Sequence, residues 1–240
     1  MADFDVRRRE LLAGLAGALV TGCAGQTISG TAGPPIPAPQ VRIGDRWVYH
    51  FVDGFRMPVV WDETHQVVAV GADGIRVRVI GKGPTTEFER FEQWSAPGIV
   101  TSGPVMDRET RPFDPPMERY RYPLTSGERW DQMFAIVPPK QAVNGRLSRW
   151  VRVGGFESVT VPAGTFNAIG MRIFMTVDDE EFWRTPDQCN YLVWYAPEVG
   201  AMIREEKEAQ YREKGGMDST AAIRSQHTII ELTSFSRGAG

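Results

Sequence analysis

Residues 166–177, FNAIGMRIFMTV, set Ile169, Met171, Ile173, Met175 and Val177 at every second position. A two-residue period sends alternate side chains to opposite faces of an extended chain, so the segment predicts a strand with one buried face. RWVYHFV places Trp47, Tyr49 and Phe51 in the same phase, and GIRVRVIG sets Ile75, Val77 and Val79 against Arg76 and Arg78. Between such runs the turn chemistry is that of hairpins. Asp73-Gly74 suits a tight turn. In VTVPAGTF, Pro162 presets the first central position of a type I turn and Gly164 can take the left-handed conformation that closes a three-residue loop; WYAPEVGAMI repeats the device with Pro197 and Gly200. Seventeen prolines and 25 glycines disfavour long helices. Successive hairpins imply an antiparallel meander, so the expected fold is mainly β, a curved sheet or half-barrel over residues 41–236, preceded by a cleavable leader and a flexible tether.

Arg7, Arg8 and Arg9 precede the apolar segment Leu11 to Val20. Ten residues cannot span a bilayer, which needs about 20, but they suit the apolar region of a signal peptide. Gly14 and Gly17 argue against a buried N-terminal helix. Val20-Thr21-Gly22-Cys23 resembles the lipobox of bacterial lipoproteins, which implies cleavage after Gly22 and acylation of Cys23 with palmitate-like chains. Residues 1–22 are then a signal peptide and 23–40 a lipid-anchored tether. More than one acyl chain makes such attachment stable. Arg8-Arg9-Glu10-Leu11-Leu12 resembles a twin-arginine export signal, and an ordinary positive n-region fits equally, so the export route stays open. Ala24 stands where an Asp would imply inner-membrane retention, so the resemblance implies the periplasmic side of the outer membrane. Residues 24–40, AGQTISGTAGPPIPAPQ, have a linker's composition and a coil reach of about 23 Å.

VPAGTF at 161–166, VWYAPEVGAMI at 193–203 and IIELTSF at 229–235 together resemble a C-terminal pattern of bacterial envelope proteins grouped as DUF3108-like and TapB-like domains of unknown function. The resemblance implies a curved antiparallel sheet or half-barrel and no activity. More loosely, the architecture resembles the lipoprotein-carrier folds that hold acyl chains in a half-barrel.

The formal charge of −3 is unchanged by removing residues 1–22, which hold three acids and three arginines, and no basic cluster suits nucleic acid. Of the three histidines, His227 lies four residues from Glu231, about 13 Å apart on a strand and too far to chelate one ion. The three histidines, His50, His65 and His227, are read as ordinary surface or hydrogen-bonded residues. DDEE at 178–181 lacks the spacing of a calcium loop and reads as a hairpin tip. The sequence has no Gly-x-Ser-x-Gly elbow, P-loop, dinucleotide fingerprint or His-Glu-x-x-His pair. No catalytic residue, cofactor or metal is assigned. With Cys23 acylated, Cys189 has no intrachain partner and reads as a small buried hydrophobe.

A candidate ligand surface remains. Met171 and Met175 make an apolar face adaptable, because methionine is unbranched and polarizable. GRLSRWVRVGG sets Arg146, Trp150 and Arg152 on one strand face, able to stack a sugar or hold an anionic headgroup, or simply to snorkel in solvent. Residues 103–117, GPVMDRETRPFDPPM, are long enough for a flap. The expected function is a membrane-anchored envelope lipoprotein that binds an apolar ligand or scaffolds an envelope partner. The competing reading is an envelope hydrolase or carbohydrate-active enzyme whose carboxylates converge from separate strands.

Overall fold

The computed structural model describes residues 28, 30–106, 108–136, 145–178, 181–214 and 222–239. Its strands are β1 (Arg46–Asp53), β2 (Val59–Gly71), β3 (Gly74–Lys82), β4 (Glu87–Ala96), β5 (Ile99–Gly103), β6 (Arg111–Glu118), β7 (Arg129–Ile136), β8 (Gly145–Val161), β9 (Gly164–Asp178), β10 (Asp187–Ala196), β11 (Ala201–Tyr211) and β12 (Ile223–Ser236). Each pairs antiparallel with its sequence neighbours, so the expected meander is present. The curved sheet goes further than a half-barrel: β1 pairs with β12 from Arg46↔Ser236 to Asp53↔Thr228, and the twelve strands close. Closure removes the two open edges that a curved sheet would expose.

The alternation does what its period requires. Ile169, Met171, Ile173 and Met175 are buried on the inner face of β9, and Trp47, Tyr49 and Phe51 on that of β1. Gly164 has φ 138° at its turn, but Val161 pairs with Gly164, so the loop is the two residues Pro162 and Ala163. Likewise Gly71 pairs with Gly74, and the β2–β3 hairpin turns at Ala72 and Asp73, one residue before the expected dipeptide. The β6–β7 seam is the thinnest, with only Phe113↔Ile136 and Asp114↔Ala135 paired. Pro112, Pro115 and Pro116 explain it, since proline brings no N–H to a ladder.

The leader 1–22 and Cys23 lie outside the described residues. Much of the Pro-rich stretch expected as tether does not: from Thr31 it is laid on the barrel. β7 pairs with β8 as far as Arg152, and Gly127 and Glu128 carry the backbone bonding one residue on to Val153, which leaves the β8 residues beyond it without a strand neighbour on that side. Thr31 takes that edge, its N–H donating to the Phe156 carbonyl at 3.1 Å and its carbonyl accepting from Phe156 N–H at 2.8 Å. Farther along, Ile36 exchanges backbone hydrogen bonds with Leu124 and is buried. Residues 30–36 therefore form a strap that satisfies an open strand edge. The linker-like composition could not reveal it, because backbone pairing makes little demand on side chains.

Candidate functional site

Twelve strands enclose more space than their inward side chains fill, and a cavity of about 590 Å³ remains in the lumen. One wall is apolar: Trp47 and Phe51 on β1, Trp61 on β2, Ile173 and Met175 on β9, and Val193 on β10. Phe51 and Trp61 stack with ring centroids 4.9 Å apart. At one end the β5–β6 connection folds inward. Pro104, Val105 and Met106 line the cavity, the Met106 carbonyl accepts from Gln226 Nε2 at 3.1 Å, and Cys189 Sγ donates to Met106 Sδ at 3.6 Å. The expected flap exists but is shorter than 103–117, because Gly103 ends β5 and Arg111 starts β6. Burial pushes the Cys189 thiol up to about 12, so it is an inert packing group. The opposite end is closed by Tyr120, Tyr122 and Tyr195, whose ring centroids lie 5.1 to 6.1 Å apart.

Charges line the cavity as well, with Glu63, Glu92 and Arg149 buried and Arg90, Arg119, Glu205 and Lys207 partly so. Glu63 on β2 is 2% exposed and accepts from Trp61 Nε1 at 2.9 Å, Arg90 Nη2 at 2.8 Å and His65 Nε2 at 3.0 Å. Burial alone would raise its carboxyl; the hydrogen bond and charge of His65, then Arg90, outweigh burial and hold it at about 2. Glu92 on β4 accepts from Trp94 Nε1 at 3.2 Å and Arg119 Nη2 at 2.9 Å. Burial again opposes ionisation there, and the charges of Arg119, His65 and Arg90 overcome it, to about 2. On β11, Lys207 Nζ lies 2.6 Å from Glu205 Oε1, and burial lowers the Lys207 ammonium to about 8. Arg149 on β8 is 4% exposed, and its guanidinium donates to the carbonyls of Glu118 and Arg119 at 2.7 and 3.2 Å.

The candidate ligand surface divides between two faces. Met175 lines the cavity, whereas Met171 is fully buried in the wall packing and does not border it. Arg146, Trp150 and Arg152 lie outside the barrel, because they alternate with the inward Leu147, Arg149 and Val151. Trp150 is 45% exposed and packs on Phe174 of β9, centroids 5.6 Å apart. The five residues therefore cannot serve one site. The histidines are each held by an acid or a ring: His50 by Asp62 at 2.8 Å, His65 by Glu63, and His227 stacked on Phe55 at 5.4 Å. Among the described residues no group of three or more His, Cys, Asp and Glu is placed to hold a metal ion.

Sequence reading missed Glu63, Arg90, Glu92, Arg119, Arg149 and Lys207. A signal existed. Trp61, Glu63, His65 and Val67 share one strand phase, as do Phe88, Arg90, Glu92 and Trp94, so each charge sits in phase with aromatic or branched apolar residues. A charge in phase with the buried face is a functional flag, since burying it is costly.

No family model and no curated protein matches the chain, so the DUF3108-like and TapB-like resemblance gains no support there. Two solved structures resemble it. One is a protein described as a lipoprotein from Parabacteroides distasonis, 14% identical, with a TM-score of 0.46 and coverage of 85% of this chain and 100% of that one. The other is described as an exported protein with a YmcC-like fold from Bacteroides fragilis, 10% identical, with a TM-score of 0.41 and the same coverage. At those similarities neither bears on what this chain binds or does.

Proposed function

We propose that this protein is a membrane-anchored bacterial envelope lipoprotein whose barrel holds a small, largely apolar ligand in its lumen. The observation that carries the proposal is the cavity of about 590 Å³, walled on one side by Trp47, Phe51, Trp61, Ile173 and Met175 and bordered at one end by the Met106 flap. That volume lies within the range of small-molecule sites, about 300 to 1,000 Å³. The arginine-led leader and Cys23 support the anchor, and Ala24 supports the periplasmic side of the outer membrane. The outer Trp150–Phe174 pair, flanked by Arg146 and Arg152, is a separate candidate contact for an envelope partner.

The hydrolase reading is disfavoured by the two most buried carboxylates of the lumen, Glu63 and Glu92. Glycoside hydrolysis needs one carboxyl that keeps its proton near neutral pH. Glu63 and Glu92 are both held ionised down to about 2, so neither can be that acid.

The chain from Ala24 onward carries every described residue and serves for the test. Titrated with the neutral fluorophore N-phenylnaphthylamine, it should show saturable binding at one site in the micromolar range. Met175→Trp, which fills cavity space from β9, should weaken binding about tenfold while leaving a folded barrel by circular dichroism. A folded wild-type chain without saturable binding overturns the proposal.

A further inference from the structure

We infer that the lumen ligand carries one anionic group, a carboxylate-like head on its apolar body, and that Arg149 receives it; the inference rests on the lumen being the binding site. Four carboxylates, Asp53, Glu63, Glu92 and Glu205, and five cations, Arg90, Arg108, Arg119, Arg149 and Lys207, border the cavity. Each glutamate already has its cation: Glu63 has Arg90 at 2.8 Å, Glu92 has Arg119 at 2.9 Å and Glu205 has Lys207 at 2.6 Å, while Asp53 accepts from the Thr228 hydroxyl at 2.6 Å. Among the described residues two of these cations have no carboxylate: the exposed Arg108, which lies over the Trp61 and Phe88 rings, and the buried Arg149. Among the described residues no carboxylate lies within ion-pair distance of Arg149, and its guanidinium donates instead to two backbone carbonyls. Glu118, the acid whose charge acts on Arg149, is committed to Arg121 at 2.6 Å, while Arg119 acts on Arg149 as a like charge.

A guanidinium 4% exposed without a counter-charge is costly to bury. It cannot escape the cost by deprotonating, because burial lowers it only to about 10, so it stays a cation at neutral pH. A second residue points the same way. The Arg90 side chain is 10% exposed and borders the same cavity, yet its Nε and Nη1 have no hydrogen-bond partner. The lumen therefore offers more donors and more positive charge than the described residues satisfy. Arg149 also stands where a head and a body would meet: its cross-strand partner is Met175, and Met175, Ile173 and Val193 form the adjacent apolar wall. A planar guanidinium fork beside apolar side chains suits a carboxylate at the end of an alkyl or aryl body.

Displacement of bound N-phenylnaphthylamine by two chain-matched competitors, dodecanoate and dodecanol, isolates the head group. On the wild-type chain dodecanoate should displace the fluorophore at a concentration at least about tenfold below that of dodecanol. Arg149→Gln should remove that preference, so that the dodecanoate and dodecanol midpoints come together; Arg149→Lys, which keeps the charge but not the fork, should retain part of it. Equal midpoints for the two competitors on the wild type overturn the anionic head, and need no variant that must fold. A dodecanoate preference that survives Arg149→Gln overturns the assignment to Arg149. Failure of the wild type to bind the fluorophore at all is a different result, and overturns the lumen site itself.

Discussion

Glu63→Gln removes a charge from the lumen wall with almost no change of shape, and its cost should depend on pH in a way set by one carboxyl. The Glu63 carboxyl is held at about 2 against its ordinary 4.5. At 1.36 kcal/mol per unit, the preference of the folded state for the ionised form is worth about 3 kcal/mol. Glu63 is 2% exposed, so water screens little of this. The folded value lies below the unfolded one, so the contribution is fully present above about 4.5 and is lost as pH falls towards 2. Glutamine resembles the protonated acid at every pH. The variant should therefore be about 3 kcal/mol less stable than wild type at pH 7, with the two proteins converging near pH 2. Urea unfolding reads this directly: with an m value of about 2 to 3 kcal/mol per molar, the midpoints differ by about 1 to 1.5 M at neutral pH. A gap that is absent at pH 7, or that persists unchanged down to pH 2, refutes the claim that Glu63 is an ionised, paired carboxylate in the folded barrel.

Such a residue is hard to see in sequence, for a reason that also explains what was easy to see. Ile169, Met171, Ile173 and Met175 announce a buried face because burial of apolar surface is the rule, and one segment suffices to state it. Gly164 and Gly200 announce hairpins because positive φ is a local demand, met here at 138° and 69°. From those two kinds of signal the antiparallel meander follows. Whether the meander closes depends on β1 meeting β12 across the whole chain, as in Trp47↔Phe235, and no local pattern carries that. The charged lining is non-local too. WDETHQV and FERFEQW are separated by a whole strand, and it is the β2–β3–β4 register, with His65 and Arg90 both opposite Val79, that brings Glu63, Arg90 and Glu92 together. Arg149 was hidden by its neighbour: Trp150 drew the eye to the outer face of β8, while the inner face, Leu147, Arg149 and Val151, carries the lumen cation.

Cys23→Ser should leave the protein unprocessed or soluble, because an alcohol cannot form the thioether; equal membrane sedimentation and equal palmitate labelling of variant and wild type would sink the anchor. Gly164→Val should cost about 1 to 3 kcal/mol, because a β-branched residue is strained at φ 138°, and an unchanged urea midpoint would contradict the turn geometry. Gly155→Ala tests the strap. A Cβ on Gly155 would come 2.3 Å from the Gly30 carbonyl carbon, backbone against backbone, so either β8, whose pairing with β9 shifts register between Val153 and Phe156, or the strap must give way. The strap is the weaker partner, since its hold at this point is the two Thr31–Phe156 hydrogen bonds, together worth about 2 kcal/mol. The expected outcome is a barrel that still unfolds cooperatively but whose residues 30–36 are cut by proteinase K much faster than in wild type. If wild type and variant are cut there at the same rate, the segment moves freely in both, and the Pro-rich stretch is the tether its composition suggests.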